Sequence, residues 1–459
     1  MNEALLLIST YAVSAFLILL GFYRYRKRGI FLDPLNMFLF QTCLFFMFQV
    51  PFIFFPGNLY MVGADYTQLW PEIWFCFGVE TTYLMVTVAL ILLLFSSAAK
   101  KDLEPLVTRI LRVTSFLFAG HRLYLLFFIP VAAILLVFVA KYGAALFLVS
   151  EMGTAAARTV VLRDAASFRF LFNFANSILS LLILYSLALT LDQLIHRRYL
   201  RLFLCTLVFL VFSVSGFLIT GTRSFVLGPI IALGTSCIMF VPKYNRPRNI
   251  LALGLALILM ASALDFFREK SVQLALFKIF VSGNTFADFR DFVWAYNSFK
   301  ASSMDFFMGR TYLSSWISFL PASVIPFREE WAWGRAILRV VGWSSDDHFG
   351  IRSGIAGFPY FNGGYPLVMV CAFLRGFILF LSQKIFDRLY VAKATLFTKL
   401  IYLIISSTVL EMIFFITNGV SLWGTYATFL IMITAFLASP LLRFSTRTSN
   451  KKGREALYP

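Results

Sequence analysis

The sequence predicts an all-α polytopic membrane protein with about eleven transmembrane helices. Sixty per cent of its 459 residues are hydrophobic, only 14% are charged, and the mean hydropathy is +0.82. A soluble fold could not bury so much apolar surface, whereas lipid solvates it and each spanning helix satisfies its own backbone hydrogen bonds. Apolar runs of about 20 residues recur along the chain, which is the length a helix needs to cross the hydrocarbon core.

The apolar runs place the spans in order. A basic cluster follows the first run, which lacks a small-residue cleavage site, so we interpret it as a span rather than a signal peptide. The chain then divides into an N-terminal bundle (1–264), a large loop (265–363), a C-terminal set of spans (364–442) and a basic tail (443–459). The predicted spans are 4–22, 35–55, 72–96, 122–141, 170–191, 202–220, 224–242, 249–264, 364–383, 399–418 and 424–442.

Basic residues predict the orientation. Clusters of Lys and Arg follow the odd-numbered spans and fill the tail, which is the pattern of cytoplasmic loops under the positive-inside rule. The formal charge of +18 therefore reflects membrane topology, and we predict no nucleic-acid partner. All eight tryptophans fall on the opposite side or at span ends there. These patterns predict a multi-pass inner-membrane protein with its N-terminus on the outer, periplasmic side and its C-terminus in the cytoplasm.

Two loops on the predicted periplasmic side are long. One covers about 142–169 and the other is the large loop, about 265–363. A loop near a hundred residues in a compact protein is usually functional. The large loop is rich in Phe, Trp and Ile, and it predicts amphipathic helices near 267–281, 285–300 and 331–341, packed at the outer interface.

Arginines gather on this outer side, where the positive-inside rule disfavours them. Guanidinium groups bind phosphate oxygens bidentately, so the set predicts a diphosphate partner at the membrane. For any single arginine the alternative is pairing with a lipid phosphate or a nearby carboxylate. The predicted anion ligands are Arg158, Arg163, Arg223, Arg290, Arg310 and Arg352.

Three residues of the large loop are candidate general bases. Asp288 and Asp291 stand three apart, so a helix would place them on one face with Arg290 pointing elsewhere. His348 is the sole histidine on the predicted outer side, and its ordinary pKa lies near working pH. The alternatives are helix capping for the acids and plain solvation for the histidine. No metal-ligand spacing or cofactor fingerprint occurs in the sequence, so we expect chemistry without a metal or cofactor.

Charged residues also fall inside the predicted spans. Glu80, Arg375 and Glu411 lie in the outer halves of the third, ninth and tenth spans. A charge at membrane depth must pair or line a cavity. We therefore expect Arg375 to pair with Glu411 or Glu80.

The order of these motifs resembles that of Wzy-type O-antigen polymerases, which polymerise oligosaccharide repeat units. Gly221-Thr222-Arg223 is similar to the family's short Gly-Ser-Arg or Gly-Ser-Lys turn. Asp288-Phe289-Arg290 resembles its Asp and Arg segment in the later periplasmic loop, and a glycine-rich return follows Arg352. One position differs from the family's pattern: Phe358 occupies the place where many members carry the Glu of a Gly-Glu-x-Tyr motif at the end of this loop.

The resemblance implies a GT-C-like glycosyltransferase. It would move a growing glycan from undecaprenyl diphosphate onto the end sugar of another lipid-linked repeat unit, so the same lipid-linked oligosaccharide is donor and acceptor. Membrane lipids, a chain-length regulator and a flippase are the further partners that it implies. Three alternatives stay open: an O-antigen ligase of the same architecture, a flippase or transporter for the lipid-linked oligosaccharide, and an assembly protein whose loop docks a partner.

Overall fold

The fold is that of a computed structural model of the chain. Its described residues are helical or lie in turns and connections, and no strand occurs among them. The structure describes residues 2–54, 66–96, 104–108, 110–111, 132–133, 197–220, 224–269, 288–302, 304–317, 324–342 and 353–392, with scattered positions in 182–194 and 394–403.

The α-helices are numbered here in chain order. The second continues through a π-helical turn (Phe45–Gln49) and a 3-10 turn (Pro51–Phe54), and another 3-10 turn (Tyr66–Gln68) leads into the third. The α-helices with described bounds are α1 (Asn2–Arg28), α2 (Pro34–Leu44), α3 (Trp70–Ser96), α4 (Tyr199–Thr220), α5 (Ser224–Phe240), α6 (Pro247–Glu269), α7 (Asp288–Ala301), α8 (Arg310–Trp316), α9 (Pro326–Glu330), α10 (Trp333–Val340) and α11 (Gly357–Val391).

Within the described residues, four helical segments are long and apolar enough to cross a membrane, which confirms the prediction of a helical membrane protein. They are α1, Pro34–Phe54, α3 and α11. Helices α4, α5 and α6 coincide with the predicted sixth, seventh and eighth spans. The other predicted spans, 122–141, 170–191, 399–418 and 424–442, lie wholly or mainly outside the described residues, so the total of eleven stays a prediction.

The chain divides into two compact units. The first comprises Met1–Asp102, Leu276–Gln383 and Leu410–Ser421, and the second comprises Leu103–Ala275, Lys384–Val409 and Leu422–Pro459. In the second unit, α5 packs against both α4 and α6. The first unit contains the first three spans together with the described helices of the large loop.

A polar turn joins α1 to α2. Asp33 caps α2 by accepting a hydrogen bond from the Asn36 backbone N–H at 2.8 Å. Arg24 and Arg28 both reach its carboxylate, at 2.9 and 3.0 Å. This turn marks what we call the Arg28 end of the first unit. The opposite end, where α3 begins, is called the Trp70 end.

Helix α7 runs antiparallel to α3 from span depth toward the Trp70 end. The Lys300 ammonium pairs with Glu72 at 2.8 Å near the start of α3. Asp288, at the other end of α7, lies within charge-interaction range of Glu80. Glu80 is ten residues beyond Trp70, which is about 15 Å along a helix. The first turn of α7 therefore lies at the depth of a span rather than above it.

The chain returns from the large loop by way of residues 353–364, which we call the return segment. The Ala356 backbone N–H donates to Glu80 Oε1 at 3.1 Å. Farther on, the ring of Tyr365 packs edge-on against Phe75 with centroids 5.7 Å apart. The return segment therefore meets α3 at Glu80 and rises toward the Trp70 end before the last long span begins.

A break at two glycines reverses the chain between the return segment and the long part of α11. Gly364 has φ 63° and ψ −159°, a conformation essentially restricted to glycine. Beyond the break, α11 descends beside α3, where Thr87 Oγ1 donates to the Ala372 carbonyl at 3.1 Å. The glycine pair thus makes it possible for one helix to follow a re-entrant segment directly.

Replacing Gly364 tests this reversal. We expect Gly364→Ala to lower the free energy of unfolding by about 1–3 kcal/mol, the usual cost of a non-glycine residue in such a conformation. The new Cβ would also lie 3.2 Å from the Phe306 ring. Gly78→Ala is the matched control, because no neighbour approaches it and alanine favours a helix by about 0.5–1 kcal/mol. Equal unfolding midpoints in detergent for both variants would contradict the assigned break.

Aromatic rings form the core beneath α7. Phe289, Phe292 and Phe361 are fully buried, and the last two rings pack edge-on at 5.8 Å. A Cβ at Gly357 would come within 2.7 Å of the Phe292 ring. The close fit joins α7 to the return segment without room for a side chain between them.

A candidate anion site at the first turn of α7

The first turn of α7 carries three charged residues, Asp288, Arg290 and Asp291. The two acids suit this position, because a helix N-terminus carries partial positive charge. Arg290 is unfavourable at this position, because its positive charge is repelled by the partial positive charge of the helix N-terminus. An unfavourable cation retained at a helix start, at span depth, marks the turn as a candidate site.

Arg290 is buried, with 5% of its surface exposed. Its guanidinium lies over the Phe52 ring, 5.3 Å from the centroid. Nε is 3.9 Å from Asp291 Oδ1, at the outer limit of an ion pair. Neither Nε nor Nη1 donates a hydrogen bond to any described atom. Arg290 therefore makes one long ion pair and one contact with an aromatic ring, while two of its N–H donor nitrogens have no hydrogen-bond acceptor among the described atoms.

Such an arrangement costs free energy. A buried charged donor without an acceptor forfeits on the order of 1–3 kcal/mol or more. An anion with two adjacent oxygens would recover that cost, since the guanidinium fork matches phosphate bidentately. The ring of Phe52 holds the fork in place and excludes water from one face. The geometry therefore suits Arg290 to bind a phosphate.

Glu80 fixes the return segment beside this turn. Its carboxylate is 2% exposed and accepts hydrogen bonds from the backbone N–H groups of Ile355 and Ala356. Gly354 has φ +66°, and a Cβ there would overlap the carboxylate. Only glycine fits this approach. Glu80 thus anchors a backbone turn at span depth.

The described surroundings of Arg375 include an aromatic ring, and its expected pairing with Glu411 stays a prediction. Its guanidinium lies over the Phe38 ring, 5.6 Å from the centroid. The buried contacts of Glu80 are backbone amides, which the spacing of charged residues could not reveal. Glu411 lies outside the described residues.

The structure describes four of the nine predicted site residues. Asp288, Arg290 and Asp291 share the first turn of α7, and the expectation that Arg290 points away from the acids is wrong, because its guanidinium reaches Asp291. Arg310 is exposed and stacks on Trp331 with its guanidinium 4.6 Å from the ring centroid. The predicted residues outside the described part are Arg158, Arg163, Arg223, His348 and Arg352.

Sequence reasoning missed two features of the site. Phe52 was one phenylalanine among 55 and carried no distinguishing signal. The glycine-rich return was noted, but its amide contact with Glu80 was not expected. A glutamate in an apolar run opposite a Ser353-Gly354 turn is the signal that could have suggested it. Within the described residues, no cluster of His, Cys, Asp or Glu could hold a metal ion.

The pair of Lys300 and Glu72 secures the C-terminal end of α7, and it gives a pH test. The hydrogen bond and charge of Glu72 raise the pKa of Lys300 above its ordinary 10.5. Because the folded protein holds this proton more tightly than the unfolded chain, the pair's stabilisation is complete below pH 10.5 and is lost as pH rises through the higher folded value.

We expect Lys300→Gln to lower the unfolding midpoint at neutral pH and to make less difference in strong alkali. With 60% of the lysine side chain exposed, the effect is small. A double-mutant cycle with Glu72→Gln isolates the pair. A coupling free energy of zero at neutral pH would contradict the contact.

No known protein family, curated protein or solved structure matches this chain.

Proposed function

We propose that this protein is a metal-independent membrane glycosyltransferase that polymerises undecaprenyl-diphosphate-linked oligosaccharide repeat units at the periplasmic face of a bacterial inner membrane. The supporting observation is Arg290, a buried cation at span depth with two donor nitrogens that bind no described atom. A polyprenyl diphosphate carries two phosphates at the head of a chain that stays in the bilayer, so it offers paired anionic oxygens to a membrane protein. The charge of the diphosphate and its paired oxygens support the proposal, because they complement a cation with two donors that bind no described atom.

The chemistry asks little of the protein beyond charge and position. The diphosphate leaves from the anomeric carbon as the bond to the glycan breaks, and an acceptor hydroxyl forms the new glycosidic bond while losing its proton. Arg290 would stabilise the negative charge that develops on the leaving phosphate oxygen. Asp288 and Asp291 lie on the same turn and are the described candidates for accepting the proton.

Incubating the purified full-length protein with a synthetic polyprenyl-diphosphate repeat unit tests the proposal. We expect a ladder of products that differ by one repeat unit, without added metal. Transfer only to lipid A core would favour a ligase, and movement of the lipid across vesicles without new glycosidic bonds would favour a flippase. Either result would replace polymerisation as the function.

A further inference from the structure

Helix α8 of the large loop buries its hydroxyl side chains and exposes an apolar side chain. Thr311, Ser314 and Ser315 are buried, whereas Leu313 is 54% exposed and Met308, just before the helix, is 75% exposed. A helix facing water shows the opposite arrangement, with hydroxyls outside and leucine inside. The exposed face of α8 is therefore unsuited to water.

The buried hydroxyls of α8 are occupied within the protein. Thr311 donates to Asn362 Oδ1 at 2.7 Å, and Ser314 donates to the Arg328 carbonyl at 2.7 Å. These bonds fix the rotation of the helix about its axis. Leu313 cannot turn inward unless both bonds break, so its exposure is built into the fold.

Contacts with α11 place α8 at span depth. The Tyr312 hydroxyl lies 3.5 Å from the Cys371 sulfur, seven residues beyond the Gly364 break. Its ring packs edge-on against Phe358 at 4.8 Å. The apolar face of α8 is therefore at the level of lipid.

Arg310 begins α8 and is exposed. Its guanidinium lies 4.6 Å from the Trp331 ring centroid, and it makes no carboxylate contact within the described part of the chain. Tryptophan favours the boundary between hydrocarbon and headgroups. A cation held there faces lipid phosphates, which are complementary to it in charge.

We infer that α8 is a lipid-contacting helix, with Met308 and Leu313 against acyl chains of the leaflet at the Trp70 end and Arg310 bound to the phosphate of a bilayer phospholipid. The inference does not depend on the proposed glycosyltransferase activity. It adds α8 to the parts of the large loop that are expected to contact the bilayer. Its polar contacts face the protein interior, as they do in lipid-exposed helices generally.

Spin labels at single cysteines test the acyl-chain contact in nanodiscs, in the full chain with its five native cysteines replaced. We expect labels at 308 and 313 to collide more with oxygen than with a water-soluble nickel complex, as a label at Leu19 on the exposed face of α1 should. A label at the exposed Ala301 is the aqueous reference. Labels at 308 and 313 that behave like the one at 301 would overturn the inference.

A second measurement keeps the native cysteines. A benzophenone amino acid at position 313 should crosslink to phospholipid on illumination. Crosslinks to protein alone would contradict the lipid contact. This outcome does not depend on whether the variant without native cysteines folds.

The headgroup contact is tested with spin-labelled phosphatidylglycerol. We expect Arg310→Gln to reduce the motionally restricted fraction severalfold and Arg310→Lys to retain most of it. Arg335→Gln is the matched control, because that exposed arginine already pairs with Glu329. An unchanged fraction in Arg310→Gln would refute the headgroup contact. Displacement of the labelled lipid by equimolar undecaprenyl diphosphate would assign Arg310 to that lipid instead and would equally overturn the phospholipid assignment.

Discussion

Arg290→Gln is expected to lower the rate of polymer synthesis about a hundredfold, the typical loss when one preorganised donor to a developing anion is removed. Nε and Nη1 of Arg290 donate no hydrogen bond to a described atom, which leaves both donors available to the proposed ligand. Arg290→Lys keeps the charge but loses the bidentate geometry, and we expect an intermediate loss of about tenfold.

The free energy of unfolding distinguishes a ligand-binding role of Arg290 from a purely structural role. Arg290→Gln also removes the cation that lies 3.9 Å from the buried Asp291 carboxylate, and loss of one partner of a buried pair costs up to about 3–5 kcal/mol, so activity is compared per folded protein. Arg335→Gln, at an exposed position on α10, is the matched control for both measurements. Full activity in Arg290→Gln, or unfolding of that variant without loss specific to activity, would remove Arg290 from the site.

Glu80→Ala is expected to destabilise the protein by about 2–5 kcal/mol, because it leaves two buried backbone N–H groups without an acceptor. Alanine also opens a void beside Gly354, where the carboxylate now fills the space. Glu80→Gln keeps an oxygen in the same place and should cost much less, about 1 kcal/mol. Urea unfolding in detergent measures both differences.

The same pair of variants reports on the position of the return segment. We expect polymer synthesis to fall in Glu80→Ala and to be largely retained in Glu80→Gln, since the amide oxygen still holds Ile355 and Ala356. Glu329→Ala, at an exposed position on α9, controls for loss of a carboxylate. Equal unfolding free energies for wild type and Glu80→Ala would show that the anchor contributes nothing.

Sequence patterns predicted where the helices lie better than they predicted which helices and side chains pack together. The apolar runs located the first three spans, and the amphipathic pattern of 285–300 matches α7, as that of 331–341 matches α10. Periodicity works here because one face of each segment meets a uniform environment. The predicted helix near 267–281 lies largely outside the described residues.

Tertiary contacts explain what the patterns left out. Nothing in the sequence around Thr311 indicates that its hydroxyl side turns inward, since the partner, Asn362, lies 51 residues away. The predicted start of the ninth span at 364 is the break inside α11, whose first turns belong to the return segment. The depth of Arg290 likewise follows from how α7 packs on α3, and no local pattern encodes that packing.

Binding of undecaprenyl diphosphate to the purified protein tests the central claim most directly. We predict that wild type and Arg335→Gln bind this lipid equally and that Arg290→Gln binds it at least tenfold more weakly, in line with the loss of a charged hydrogen bond of about 1.5–3 kcal/mol. A dissociation constant unchanged by Arg290→Gln, in a variant that unfolds like wild type, would contradict the claim that this buried guanidinium binds a lipid diphosphate.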